Sequence, residues 1–213
     1  MPMPDFPELY DAILNGDEKL ALRLANEALQ AGADPSVLIT KGMIPAMDEV
    51  GRLFEAQEYY IPEMLLAGRA MKAALEPIRP LLAARGVQPT GYIVLGTVKG
   101  DLHDIGKNLV GSMLEGAGFE VHDLGIDVPQ GKFVEAVINR NPDILALSAL
   151  LTVTMPEMKK VIDALIEAGV RNQVKVLVGG APVTREFAGQ IGADGYGENA
   201  SSAVTIARSL LKK

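Results

Sequence analysis

The chain contains no cysteine, which excludes disulfides and thiolate-bound metals. Histidine is nearly as scarce. His103 and His122 are the only two among 213 residues, too few for a multi-histidine metal centre on one chain. Lys and Arg number 20 against 27 Asp and Glu, a formal charge of −7 with no basic cluster, so a phosphate backbone is excluded as a partner. There is no long uninterrupted apolar run and no secretory leader, and the expectation is a soluble cytoplasmic protein that meets neither membrane nor nucleic acid.

What is present divides near residue 88. From Pro2 to about Gly86 apolar residues recur at helical spacing. Phe6, Leu9, Tyr10, Ile13 and Leu14 form the first stripe; Asn15-Gly16 closes it, and Asp17 can cap the next helix. Leu20, Leu24 and Ala28 make the second stripe, which ends at Ala31-Gly32. Asp34-Pro35 opens a third helix with a capping side chain and a proline where its missing N–H costs nothing. That helix continues through Met43, Met47, Val50 and Phe54 past Pro45, which should kink it. Ile61-Pro62 begins a fourth, through Met64, Met71 and Leu75, before Pro77 and Pro80 weaken it. Four helices with short joins predict a bundle. The stretch 85–90 has linker chemistry, so the expected domains are a helical 1–88 and a second domain over 89–213.

After Gly91 short apolar runs alternate with helical patterns. Strands are expected near 92–96, 120–124, 144–148, 174–178 and 194–196, with helices near 104–117, 130–140, 156–168 and 184–190 and from about Asn199. Repeated βα units predict a doubly wound parallel five-stranded sheet, flavodoxin- or Rossmann-like, giving an α/β fold class with an N-terminal four-helix bundle. With strand order 2-1-3-4-5, a ligand crevice opens at the carboxyl ends where the first and third strands part.

The first strand leads into Val98-Lys99-Gly100-Asp101-Leu102-His103-Asp104-Ile105-Gly106-Lys107-Asn108. With Asp101 two residues before His103, an extended backbone puts both side chains on one side, where the carboxylate can orient a metal-ligating imidazole. Gly100 and Gly106 let the loop turn and let something large approach the backbone. Gly106-Lys107-Asn108 looks superficially like a phosphate-binding loop, but the first glycine of that motif is misplaced and Asn108 replaces its hydroxyl residue. No Gly-x-Gly-x-x-Gly follows the first strand. His122 has no carboxylate motif beside it and reads as structural or exposed.

The loop resembles the Asp-x-His-x-x-Gly signature of cobalamin-binding proteins: the cobalamin module of methionine synthase, base-off mutases, and the corrinoid proteins of methylamine, methanol and methoxyaromatic methyltransferase systems. Ser148-Ala149-Leu150, Thr152, Thr154 and Gly179-Gly180 follow in that family's order, and the helical segment is similar to its cap domain. The resemblance implies a cobalamin cofactor bound base-off, with His103 as lower axial cobalt ligand. It implies that Asp101 and Thr154 form a proton relay behind it, Thr154 standing where methionine synthase has a serine. It further implies that Gly100, Leu102, Asp104 and Gly106 line the corrin. Ser148 and Thr152 would line the groove for the detached nucleotide tail, and Gly179 and Gly180 would let it pass against bare backbone. Tyr196 and Ala200 would close the same edge, with Leu150 among the cofactor-binding residues, and Phe54, Ile61 and Met64 would shield the upper corrin face. The residue-based alternatives are an N-cap role for Thr154, strand-end capping for Ser148 and Thr152, a tight turn at Gly179-Gly180, and bundle core for Phe54, Ile61 and Met64.

By the same resemblance the protein is a methyl carrier, non-catalytic alone. It accepts a methyl group on cob(I)alamin from a substrate-specific methyltransferase. From methylcob(III)alamin it passes that group to a second methyltransferase with a folate or thiol acceptor, and a reductive activase restores cob(I). The 85–90 linker is the expected hinge. Two rivals are a cobalamin-dependent regulator, which should carry a helix-turn-helix module not read in these residues, and a generic nucleotide-binding module, which would not need His103.

Overall fold

A computed structural model describes residues 6–212; the expectation that helix begins near Pro2 lies in part outside them. The chain forms two compact units. One gathers the chain up to Thr90 together with Ser112–Gly118, the other Gly91–Gly111 and the chain from Phe119 onward.

In the first unit α1 (Pro7–Leu14) buries Leu9 and Ile13, and α2 (Glu18–Gln30) starts where Asp17 accepts the Leu20 N–H. Gly16 and Gly32 end these helices at φ +71° and +86°, the left-handed conformation that spares glycine a side-chain clash. Asp34 caps α3 (Pro35–Val37) by accepting from the Ser36 and Val37 N–H groups. A π-helical stretch, Leu38–Met43, then leads into α4 (Ile44–Glu55). The expected kink at Pro45 is therefore replaced by a local widening. Pro45 has no N–H to offer the preceding turn, and the Ile44 N–H reaches back five residues to the Ile39 carbonyl. A fourth long helix, α5 (Ile61–Leu75), packs on α2 and is followed, across Pro77, by the short α6 (Arg79–Ala84). Leu38, Met43, Met47, Val50 and Met71 are buried with hardly any exposed surface.

In the second unit β1 (Tyr92–Thr97), β2 (Glu120–Asp123), β3 (Ile144–Ser148), β4 (Lys175–Gly179) and β5 (Gly195–Gly197) form one parallel sheet in the order β2-β1-β3-β4-β5. The intervening helices are α7 (Ile105–Gly116), α8 (Gln130–Arg140), α9 (Met155–Glu167) and α10 (Arg185–Ile191), with α11 (Ala200–Leu210) last. Ile93, Val94, Leu95, Ile144, Leu145, Val176 and Leu177 are all buried, as expected of strands covered on both faces, and Phe133, Val161 and Leu165 from the helices share one core cluster with Val94, Leu145 and Val176. Thr97 pairs with Ser148, and Ser148 with Gly179, so the carboxyl ends of β1, β3 and β4 lie side by side. His122 sits in β2 opposite Val94, half-buried.

Candidate functional site

The switch point lies between β1 and β3, and the loop after β1 is fastened there from both sides. Thr97, wholly buried, donates its hydroxyl to the His103 carbonyl at 3.0 Å. The Val98 N–H donates to the Ser148 carbonyl at the end of β3. Gly100 turns the chain at φ +81° and gives its N–H to Asp127 Oδ1 at 2.7 Å, while the Asp127 N–H donates to the Asp101 carbonyl.

Asp101 then sits at the centre, with no exposed surface and five donors on its carboxylate. Oδ2 accepts from Leu150 N at 2.7 Å, Leu151 N at 3.2 Å and Thr154 Oγ1 at 2.7 Å. Oδ1 accepts from the His103 N–H at 3.1 Å and lies 2.7 Å from His103 Nδ1. A carboxylate bonded to the N–H two residues on makes an Asx turn, so a turn, rather than an extended stretch, brings the two side chains together. Burial alone would push the Asp101 carboxyl up. The N–H of Leu150, the hydroxyl of Thr154 and the two groups of His103 outweigh it and hold the carboxyl well below the usual carboxylate range. An ionised carboxylate only accepts, so Nδ1 carries a proton towards Asp101, and Nε2 is the ring nitrogen left to a ligand on a side chain that is 50% exposed.

Thr154 precedes α9, but its hydroxyl makes no capping bond; its one proton is shared between Asp101 Oδ2 and the Leu151 carbonyl, 2.9 Å away. Exposed apolar side chains flank His103 in the loop, Leu102 and Ile105 each being 67% exposed, and in the segment after β3 Leu150 and Val153 are exposed too, Val153 at 79%. Gly106 does not turn the loop as expected. It is the second residue of α7, and a Cβ added there would meet nothing within 4 Å. Asp104, just before that helix, accepts from the Asn108 side chain and N–H.

Gly180 has φ +131°, and a Cβ there would lie 1.9 Å from the Ala149 carbonyl oxygen; one on Gly179 would lie 2.8 Å from the Gly197 carbonyl oxygen. Both glycines are thus required by the chain's own packing at this edge. Ser148 is half-buried and Thr152 exposed; Tyr196 is half-buried with the Arg185 guanidinium 5.8 Å over its ring, and Ala200 is buried at the start of α11. Within the helical unit Met64 is fully buried, Phe54 half-buried and Ile61 49% exposed, so among these three Ile61 has the most side chain to offer a ligand.

Sequence reasoning missed Thr97, Leu151, Asp123 and Asp127, and it set Lys107 aside. A threonine ending an otherwise apolar strand was a legible signal for Thr97. Backbone donors such as the Leu151 N–H have no signature in side-chain identity.

Among the described residues no group of three or more His, Asp or Glu could hold a metal ion, so a metal at His103 must bring most of its own ligands. The fit to a corrinoid is good on that count: one oriented imidazole nitrogen, an apolar rim and bare backbone at Gly106. Fold and site together define an α/β module of doubly wound topology with a carboxylate-oriented histidine at its switch point. Comparison with known proteins agrees. Models described as B12 binding domains match residues 91–205 and 6–78. The chain is 48% identical over 203 residues to trimethylamine corrinoid protein 1 of Methanosarcina acetivorans, covering 94% of each chain. It is 47% identical over 205 residues to dimethylamine corrinoid protein 1 of the same organism, covering 96% of each. In structure it is similar to a chain of the methanol:cobalamin methyltransferase complex of Methanosarcina barkeri, with TM-score 0.85 and 33% identity over 96% of this chain and 78% of that one. The chain belongs to the B12-binding corrinoid protein family.

Proposed function

We propose that this chain is the corrinoid methyl carrier of a methylamine methyltransferase system, with His103 Nε2 as the axial ligand of a base-off corrinoid. The observation that carries the reading is the Asp101 Oδ1 to His103 Nδ1 contact of 2.7 Å, made by a buried carboxylate to a half-exposed ring. When bound, the corrinoid supplies a cobalt centre that can take up a methyl group and give it away. The chain's own residues do the rest. Asp101 keeps the proton on Nδ1, fixing ring orientation and leaving Nε2 to ligate. Thr154 and the Leu150 and Leu151 N–H groups hold the carboxylate still. Leu102, Ile105 and Val153 offer apolar contact to a macrocycle, Gly106 lets it come close, and Ser148 and Thr152 supply hydroxyls for the nucleotide tail. Phe54 and Ile61 are assigned the shielding of the methyl-bearing face.

The names of the relatives support methylamines as the donor class; the trimethylamine and dimethylamine proteins are 48% and 47% identical to this chain, and the choice between such donors is assigned to the partner enzyme. A substrate-specific methyltransferase loads the carrier, a second with a thiol or folate acceptor unloads it, and a reductive activase rescues it. No described helix is long and apolar enough to cross a membrane, and the cytoplasm is the proposed location.

The test is reconstitution with hydroxocobalamin. Wild type should retain pigment after desalting with axial-ligand bands that change in His103→Ala; a wild type that retains none, or spectra matching free cofactor in both, would overturn the reading.

A further inference from the structure

Lys107 is an unusual residue for its place. It is the third residue of α7, where the positive end of the helix dipole disfavours a cation, and its side chain is only 2% exposed. A buried ammonium needs a carboxylate and further acceptors. Its Nζ donates to Asp123 Oδ2, at the end of β2, and to Asn108 Oδ1 at 2.7 Å.

Followed outward, these bonds close a ring. Asn108 Nδ2 donates to Asp104 Oδ2 at 3.0 Å, and Asp104 follows His103 in the chain. On the other side, Asp123 Oδ1 accepts the Gly125 N–H at 2.8 Å, and the Gly125 carbonyl accepts the Thr97 N–H at 3.0 Å. Thr97 Oγ1 then donates to the His103 carbonyl. The ring therefore leaves His103 at its carbonyl and returns through Asp104, passing through β1, the turn after β2 and the first turn of α7. Asp101 orients the imidazole; this ring holds the peptide that carries it.

We infer that Lys107, through its ion pair with Asp123, is a positioning residue that fixes the His103 backbone in register with Asp101, an inference that rests on the proposed ligand role of His103. Because the ion pair spans α7 and β2, its loss opens the ring and uncouples the α7 side, where Asn108 still holds Asp104, from the side that Thr97 and Gly125 hold. An imidazole on a loosened peptide keeps its chemistry but spends less time where Nε2 can ligate.

The experiment has two arms, on wild type, Lys107→Met and Asp123→Asn. The first substitution keeps an apolar stem and removes the donors; the second removes the charge and keeps one of the two acceptor oxygens, the other becoming an N–H₂ group. In the cofactor-free protein, hydrogen exchange at the His103 amide should accelerate about tenfold or more in Lys107→Met and less in Asp123→Asn, with amides of β3 unchanged. After loading with hydroxocobalamin, both variants should retain pigment but show a smaller His-coordinated fraction in the axial-ligand bands, in the same order. Unchanged exchange at His103 in both variants overturns the inference. Equal acceleration at His103 and in β3 also overturns it, by assigning Lys107 to global stability. A wild type without His103-dependent bands sinks the proposed function instead, and the exchange arm still decides whether the ring holds the loop.

Discussion

Thr154 Oγ1 lies 2.7 Å from Asp101 Oδ2, a bond between residues 53 apart in the sequence that joins the loop after β1 to the start of α9. Replacing Thr154 with Val keeps the volume and deletes the hydroxyl, leaving Asp101 its four N–H donors. The expected cost is about 1.5–3 kcal/mol, the usual net worth of a hydrogen bond to a charged group, read as a lower urea midpoint at unchanged slope. A midpoint equal to wild type would show that this bond carries no stability.

The carboxyl of Asp101 is held well below its ordinary range, and the sign of its pH dependence follows. A group whose folded pKa lies below its unfolded value of about 3.9 contributes stability above that value and loses it as pH falls towards the folded one. In the cofactor-free protein the stability gap between wild type and Asp101→Asn should therefore be constant above about pH 5 and shrink steadily below it. Denaturant titrations across that range check this; a gap independent of pH would refute it. Asp101→Asn also turns an amide N–H₂ towards one set of donors, at a cost of roughly 1–3 kcal/mol near neutral pH.

Gly106→Ala should separate folding from binding. An added methyl group meets nothing in the chain, and alanine is the better helix former, so the cofactor-free protein should gain up to about 1 kcal/mol. The same methyl group stands where the cofactor is proposed to approach, and hydroxocobalamin affinity should fall by roughly tenfold or more, the scale of modest overpacking. Thermal unfolding and pigment retention measure the two effects; undiminished retention would mean that no ligand comes close at Gly106.

Gly180→Ala should do the reverse and fail as a fold. With φ +131° and only 1.9 Å from the new Cβ to the Ala149 carbonyl oxygen, the backbone has to move, and a loss of about 2–4 kcal/mol is expected with or without cofactor. A tolerant Gly180→Ala that loses only pigment would instead assign this glycine to the ligand alone.

The strands and their order were legible because a strand buried on both faces must be a short continuous apolar run, as at Ile93 to Leu95 and Ile144 to Leu147. Helix ends were legible where a single side chain decides them, as at Asp17, Asp34 and Gly32. The π-helical stretch before Pro45 was not, since the sequence shows that a hydrogen bond must be lost but not how the neighbouring turns absorb it. The family resemblance pointed to Asp101 and His103, and the fold class to the strand edge on which they lie.

Residue identity and spacing by themselves determined the alternation of apolar runs, the left-handed stops and a lone histidine two residues after an aspartate, because these depend on local chemistry. Only the tertiary structure decided that Asp101 is ionised with five donors, that Lys107 is buried in a ring around the His103 peptide, and that Gly180 is owed to Ala149. Each of those facts depends on groups brought together from β1, β2, β3 and β4, many of them backbone atoms, and a backbone N–H is the same in every residue but proline.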